Sequence, residues 1–123
     1  MARATIVPIK AAYRNDPSSA VDNTALFTAI DATDGAAISS WNESDEKYTI
    51  VIQNTSTTEA ANVKILKGDG IHAVNDLTVS LAAGKTVCLS IDSARFKVLS
   101  GTDKGKVLLT GPAAAKVAVF CTP

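Results

Sequence analysis

Apolar and polar side chains alternate along most of the chain after residue 24. In residues 46–54, Tyr48, Ile50 and Ile52 are separated by Thr49, Val51 and Gln53. A period of two is typical of a β-strand with one buried face, and no segment sustains the period of a helix. Similar short runs occur at residues 26–30, 37–41, 63–65, 77–81, 87–91, 107–109 and 117–121. Together with residues 5–9, they predict about nine strands.

Residues 77–91 contain the pattern that most resembles a β-hairpin. Two alternating runs flank Ala82-Ala83-Gly84-Lys85, where Gly84 supplies the backbone freedom that a turn or bulge needs. The six aliphatic side chains are all odd-numbered, namely Leu77, Val79, Leu81, Val87, Leu89 and Ile91. We therefore predict that the two strands pair side by side with these residues on one face.

Many short strands without intervening helices predict an all-β fold, an antiparallel sandwich of two sheets. A jelly-roll-like arrangement is the first expectation, and an immunoglobulin-like sandwich is the alternative. Because Thr, Ser and Lys occupy the second face of most strands, each sheet is expected to have one packed face and one solvent-exposed face.

The first twenty residues differ from the rest. Pro8 interrupts their apolar run and cannot donate to a sheet, and residues 15–19 are a cluster of turn formers. This pattern predicts an extended N-terminal arm at residues 1–20 and a single β-sandwich domain at residues 21–123. Such an arm packs either on a neighbouring subunit or along an edge of its own domain, and the sequence leaves both open.

Composition and charge argue against nucleic-acid binding, a membrane span and a secretory signal. The chain has 123 residues, 46% hydrophobic and 20% charged, with a formal net charge of zero. A nucleic-acid-binding domain normally carries a basic excess, so no direct nucleic-acid partner is expected. No apolar run approaches the roughly 18 to 20 residues of a membrane span, and the start has no secretory signal. We expect synthesis in the cytoplasm, where Cys88 and Cys121 remain free thiols.

No pattern in the sequence indicates catalysis. His72 is the only histidine, and it lies in a glycine-rich loop without a nucleophile motif. The loop at residues 101–106 has a glycine and lysine content like a phosphate-binding loop, but Val107 stands where Ser or Thr is required. We predict a hairpin connection there and no catalytic residue.

Metal and cofactor sites are not expected either. One histidine and two distant cysteines give no zinc-ligand spacing. Asp31, Asp34 and Asp69 stand beside glycines, but they lack the alternation of a calcium loop and are expected to bond to their own turns. Trp41 is expected to close one end of the core, although with Tyr13 and Tyr48 it supplies the aromatic groups that a carbohydrate platform uses.

A series of strand and turn segments follows from Leu26 to the C-terminus. These segments are Leu26-Phe27, Ala29-Ile30-Asp31, Gly35, residues 46–54, residues 63–65, residues 81–85, Ser93-Ala94-Arg95-Phe96-Lys97 and Lys104-Gly105-Lys106-Val107. Their order resembles that of small structural proteins of tailed bacteriophages, the capsid decoration or head-stabilising proteins. The resemblance covers roughly four fifths of the chain and contains no catalytic fingerprint.

The resemblance implies a non-enzymatic protein that binds the outside of an assembled capsid and stabilises it. Its partner is then the shell of major capsid protein, its location the virion exterior, and its assembly a homo-oligomer, most often a trimer. In this setting Arg3, Lys10 and Arg14 of the arm are candidate contacts to the shell. The alternative is a carbohydrate- or receptor-binding sandwich module, and a third hypothesis is a hydrolase that uses His72.

Overall fold

The computed structural model of the chain describes residues 3–11, 22–23 and 26–122. Short strands dominate these residues, with a 3-10 turn at Asp45–Lys47 and a helical turn, α1, at Ser93–Phe96. The strands are β1 Ala4–Ile6, β2 Ile9–Lys10, β3 Thr28–Ala29, β4 Ala36–Ile38, β5 Tyr48–Asn54, β6 Ala61–Ile65, β7 Leu77–Leu81, β8 Thr86–Leu89, β9 Val107–Thr110 and β10 Ala115–Cys121.

The strands form two sheets that pack against each other. The first sheet has the order β1-β4-β9-β6-β7, and the second has the order β2-β10-β5-β8 with β3 also pairing with β10. This arrangement confirms the predicted two-sheet β-sandwich. Pairing is antiparallel except that β1 runs parallel to β4 and β2 runs parallel to β10. The sheets are therefore mixed rather than purely antiparallel.

The alternation in the sequence corresponds to the two faces of each sheet. Along β5 and β6 every second residue is fully buried, and the residues between them are partly or fully exposed. The core between the sheets consists mainly of aliphatic side chains, with Trp41, Tyr48 and Phe96 at its margins. Burying apolar surface at about 25 cal/mol per Å² is the main force that holds the sheets together.

The eight strands β3 to β10 pair as one long hairpin that is wound around the core. β6 pairs with β7, β5 with β8, β4 with β9 and β3 with β10, all antiparallel. Apart from the β6–β7 connection, each step from β3 to β10 passes from one sheet to the other. Residues distant in sequence are therefore neighbours in each sheet.

The predicted hairpin of residues 77–91 is wrong. β7 pairs with β6 and β8 pairs with β5, so the turn at residues 82–85 crosses between the two sheets. The odd-numbered apolar side chains of β7 and β8 only have to point into the same core. Strands in opposite sheets meet this requirement as well as two paired strands do. Gly84 does occupy the turn, with a φ of 72°.

The wound chain places its loops at two ends of the sandwich. Residues 30–35, 55–60, 82–85 and 111–114 form short connections at one end, which we call the short-loop end. Residues 39–47, 66–76 and 90–106 form longer connections at the other, the long-loop end. The register places the end of β4 beside the start of β9, and the start of β5 beside the end of β10.

The N-terminal residues that the structure describes lie along this chain's own sheets. β1 extends the first sheet and β2 extends the second, with Pro8 in the crossing between them, where no ladder hydrogen bond is needed. Residues 3–11 thus follow the own-edge alternative. Residues 12–20 of the predicted arm lie outside the described residues.

Helix α1 was not expected from periodicity, because one turn is too short to show it. Its start does carry a local signal, since the Asp92 carboxylate accepts a hydrogen bond from the Ala94 N–H as a helix cap. Within the described ranges, no helix has the length and apolar character that crossing a membrane requires.

Candidate binding surface at the long-loop end

Exposed apolar side chains are concentrated at the long-loop end. Among the described residues, the large hydrophobic side chains that are exposed are Val7, Ile71, Val74 and Leu99. Ile71 is 95% exposed, and Ile71, Val74 and Leu99 belong to loops of this end. Val7 lies in the β1–β2 connection at the same end, because β1 ends beside the end of β4 and β2 begins beside the end of β10. Scattered exposed apolar residues are ordinary on soluble proteins, whereas a concentration at one end indicates a surface for binding.

Asp69 fixes the two loops that carry Ile71, Val74 and Leu99. Its carboxylate accepts hydrogen bonds from the Leu99 N–H and the Ser100 hydroxyl, both at 2.6 Å. The Ser100 hydroxyl and the Leu99 N–H hold the pKa of Asp69 below its ordinary value. Asp69 therefore braces a neighbouring loop, a role that the prediction of bonds within its own turn did not include.

Gly68 brings the same two loops into close contact. Its N–H donates to the Arg95 carbonyl at 2.9 Å, and a Cβ at this position would collide with the carbonyl of Lys97. Only glycine permits this approach of two backbones. The apolar tips are thus presented on loops that are bonded to each other.

Asp45 provides a second brace at this end. One carboxylate oxygen accepts the Trp41 indole N–H at 2.9 Å, and the other accepts the Ser93 N–H and hydroxyl at 3.0 and 3.2 Å. Burial alone raises the pKa of Asp45, but the hydrogen bonds from Trp41 and Ser93, with the charge of Lys97, outweigh it, and the pKa is lowered overall. Loop 39–47 is thereby tied to the start of α1.

Replacing Asp45 by asparagine is expected to destabilise the fold by about 1–2 kcal/mol at neutral pH, because the amide N–H₂ faces a donor. The lowered pKa means that the Asp45 contribution is present above the ordinary carboxyl pKa and is lost as pH falls through the folded value. Urea unfolding across acidic pH should therefore show the wild type and Asp45→Asn converging. The control is Glu46→Gln at the exposed neighbouring position, whose free energy of unfolding should follow that of the wild type. A difference between Asp45→Asn and the wild type that does not change with pH would contradict the role of the Asp45 carboxylate.

Two of the three residues predicted to bind a partner, Arg3 and Lys10, form ion pairs within the chain. Arg3 pairs with Asp103 at 2.9 Å, and Lys10 pairs with Glu43 at 3.2 Å. The Lys10 hydrogen bond and charge lower the pKa of Glu43, with a further contribution from Lys47. Both cations remain on the surface, where such pairs contribute little stability. Arg14 lies outside the described residues.

A shallow depression lies between residues 7–10 and residues 40–43. It is lined partly by Lys10, Glu43 and Tyr48. The Tyr48 hydroxyl accepts from the backbone N–H groups of Asn42 and Glu43 at 3.2 and 3.1 Å. Since these groups already bond to one another, the depression presents no polar array aimed at a ligand.

The residue types capable of catalysis or metal binding are dispersed over the described part of the chain. His72 is exposed on loop 66–76 and, within the described part of the chain, makes no hydrogen bond or ion pair. Asp31 accepts the N–H groups of Thr33 and Asp34, which confirms its predicted role in its own turn. No group of three or more His, Cys, Asp or Glu side chains among residues 3–11, 22–23 and 26–122 is arranged to hold a metal ion.

Loop 101–106 forms the predicted hairpin connection. It joins the antiparallel bridge between Lys97 and Val107, and Val98 exchanges backbone hydrogen bonds with Gly105 and Lys106 at 2.7 and 2.9 Å. Its glycines therefore serve a turn rather than a phosphate cradle.

Trp41 and Tyr48 belong to the core, and the two cysteines are not joined in a disulfide. Trp41 and Tyr48 are buried and stacked, with ring centroids 4.1 Å apart, so Trp41 closes the core as predicted. Tyr13 lies outside the described residues. Cys88 is exposed and Cys121 is buried, and both are free thiols.

Comparisons with protein-family profiles, with curated proteins and with solved structures find no match to this chain.

Proposed function

We propose that this chain is a non-enzymatic viral structural protein that binds the outer surface of an assembled bacteriophage capsid and stabilises it. Two observations support the proposal. The order of strands and turns in the sequence from Leu26 onward resembles that of capsid decoration proteins, and exposed apolar side chains are concentrated at the long-loop end. A protein that binds only the assembled lattice raises the free energy of disassembly by mass action, and many copies add their effects.

The geometry of the long-loop end carries the binding part of the proposal. Ile71 and Val74 project from a loop that Asp69 joins to the Leu99 loop. Loops that are already ordered lose little conformational entropy on binding, so more of the apolar burial appears as affinity.

The pairing of β3 to β10 as one wound hairpin supports a jelly roll over an immunoglobulin-like sandwich. Each strand pair is antiparallel, and successive strands pass from sheet to sheet around the core. The fold itself hosts many functions, so it adds no weight to a capsid role on its own.

The proposed partner is the shell of major capsid protein, on the virion exterior, after synthesis in the host cytoplasm. The resemblance implies a homo-oligomer and favours a trimer at a symmetry axis. Arg3, Lys10 and Arg14 are proposed as peripheral contacts to the shell. Arg3 and Lys10 keep side-chain exposures of 40% and 59% despite their ion pairs, so both can exchange partners at an interface.

The double variant Ile71→Asp/Val74→Asp is expected to lose at least about tenfold in affinity for the shell. Burying each side chain stabilises a complex by about 1.5–3 kcal/mol, and a charge at the same place opposes burial. Co-sedimentation with empty shells, assembled from the major capsid protein of the phage that encodes the chain, measures the effect.

Ala113→Asp at the opposite, short-loop end is the matched control and should bind as the wild type does. Unassembled capsid subunits should not retain the protein. Equal binding by wild type and double variant would remove the long-loop end from the interface, and no binding of the wild type to shells would contradict the capsid proposal itself.

The alternative, a carbohydrate- or receptor-binding module, predicts a different result. A glycan array with and without a calcium chelator tests it directly. A specific glycan signal, together with failure to bind shells, would replace the capsid proposal with this alternative.

A further inference from the structure

Among the residues that the structure describes, no strand pairs with the outer edge of β8 in the second sheet. β8 is the outermost strand of that sheet, and its residues Thr86–Leu89 include no charge and no proline. Edge strands of proteins usually carry such residues, or a bulge, because free backbone groups there pair with other chains. An edge without them is suited to strand pairing with a partner.

The register shows which backbone groups of β8 are free. The Asn54 N–H donates to the Lys85 carbonyl at 2.9 Å, which marks Asn54 and Lys85 as a hydrogen-bonded pair. Because this pattern alternates along an antiparallel ladder, Val87 and Leu89 bond to β5. The N–H and C=O groups of Thr86 and Cys88 therefore point away from the sheet, as do those of Ser90 if the extended backbone is continued by one residue. Nothing among the described residues bonds to them.

We propose that β8 is a binding edge for a second copy of this chain, which pairs with it antiparallel about a twofold axis through Cys88. A twofold axis perpendicular to the sheet keeps each side chain on its own face, so the paired residues must have the same parity. Centring on Cys88 satisfies this condition. Thr86 then lies opposite the partner's Ser90, and Cys88 lies opposite its own copy. These pairs join the outward-facing groups in about six hydrogen bonds.

The side chains beside this ladder also complement their own copies. Val87 lies opposite Leu89 of the second copy on the core face, where both are only half buried in one chain. Self-complementarity in hydrogen bonding and apolar contact identifies the occupant as a second copy.

Cys88→Lys tests this contact, because it places two like charges opposite each other at the axis. Light scattering should show that the variant has half the mass of the wild-type particle. Asn62→Lys, on the exposed face of the inner strand β6 in the other sheet, is the control and should keep the wild-type mass. A twofold contact cannot close a trimer, so the halving takes a dimer to a monomer or, where the trimer also forms, a hexamer to a trimer.

Cross-linking supplies a second measurement that does not depend on the folding of a variant. Diamide, which accepts two electrons and two protons, should oxidise the opposed Cys88 thiols of the wild type to a disulfide, since opposed Cα atoms lie within disulfide range. A non-reducing gel should show a band at twice the 12.7 kDa chain mass. The band should persist in Cys121→Ala and vanish in Cys88→Ser, whose mass in solution should be unchanged.

A wild-type mass that Cys88→Lys leaves unaltered, or the absence of the cross-linked band, would overturn the β8 contact. The result is separable from the capsid proposal, because mass and cross-linking are measured without shells. Halving of the mass with no shell binding would keep the β8 contact and reject the capsid role.

Discussion

Asn54→Asp is expected to destabilise the protein by about 3–5 kcal/mol at neutral pH, although it changes a single group of similar size. Asn54 is 2% exposed, and its Nδ2 donates to the carbonyls of Glu59, Leu81 and Ala82 at 2.9, 3.2 and 3.3 Å. It thereby joins the end of β5 to the β5–β6 and β7–β8 connections. A carboxylate there faces three carbonyl oxygens without a cation, which leaves a buried charge uncompensated.

The same variant should regain part of its stability in acid. A carboxyl group in this environment has a raised folded pKa, so the penalty of the buried charge grows as pH rises above the ordinary aspartate pKa and is absent below it. Urea unfolding at several pH values measures both the loss and its recovery. Asn62→Asp is the control, because Asn62 is exposed and its Oδ1 only accepts the Ser80 hydroxyl at 2.8 Å; it should change stability by less than about 0.5 kcal/mol. Equal losses for the two variants would disprove the role of Asn54.

Gly35→Ala is expected to cost about 3 kcal/mol or more, whereas Gly84→Ala should cost only about 1–2 kcal/mol. Both glycines have positive φ, at 82° and 72°, so both variants carry the strain of a left-handed backbone. A Cβ on Gly35 would also collide with the Leu109 carbonyl of β9, while the space around Gly84 is open within 4 Å. The loss of stability in Gly35→Ala beyond that in Gly84→Ala measures the cost of displacing β4 from β9.

Urea titrations of the two glycine variants measure their free energies of unfolding and so test the expected difference between them. A similar slope of free energy against urea would show that both variants unfold from a comparably compact state. If the two variants were equally destabilised, backbone strain alone would account for Gly35, and the close approach of β9 would have no energetic weight.

The strands themselves were predictable because alternation reflects a local requirement. Tyr48, Ile50 and Ile52 all face the core whatever strand lies beside them, and their burial follows from the pleat alone. The role of Asp31 in its own turn was predictable for the same reason, since its hydrogen bonds span only two and three residues.

The candidate surface was much less accessible to sequence reasoning. Ile71 and Val74 stood out neither by motif nor by periodicity, and the brace from Asp69 reaches residues thirty and more positions away. The glycines around Asp69 were visible, yet glycine beside aspartate is equally typical of a simple turn. Exposure of an apolar side chain depends on what the rest of the chain leaves uncovered.

The sequence by itself determined the β class and the positions and inward phase of the longer strands such as β5 and β6, because side-chain alternation depends only on the local backbone. The single strand predicted at residues 5–9 is instead two short strands, β1 and β2, in different sheets. Tertiary structure decided which strands pair, and so it separated β7 from β8 although their apolar residues share one phase. It also decided that Asn54 is buried and that no strand of the described part of the chain pairs with the outer edge of β8. The physical reason is that pairing and burial arise from contacts between distant residues, and a pattern of period two is satisfied equally by a neighbour in one sheet or a facing strand in the other.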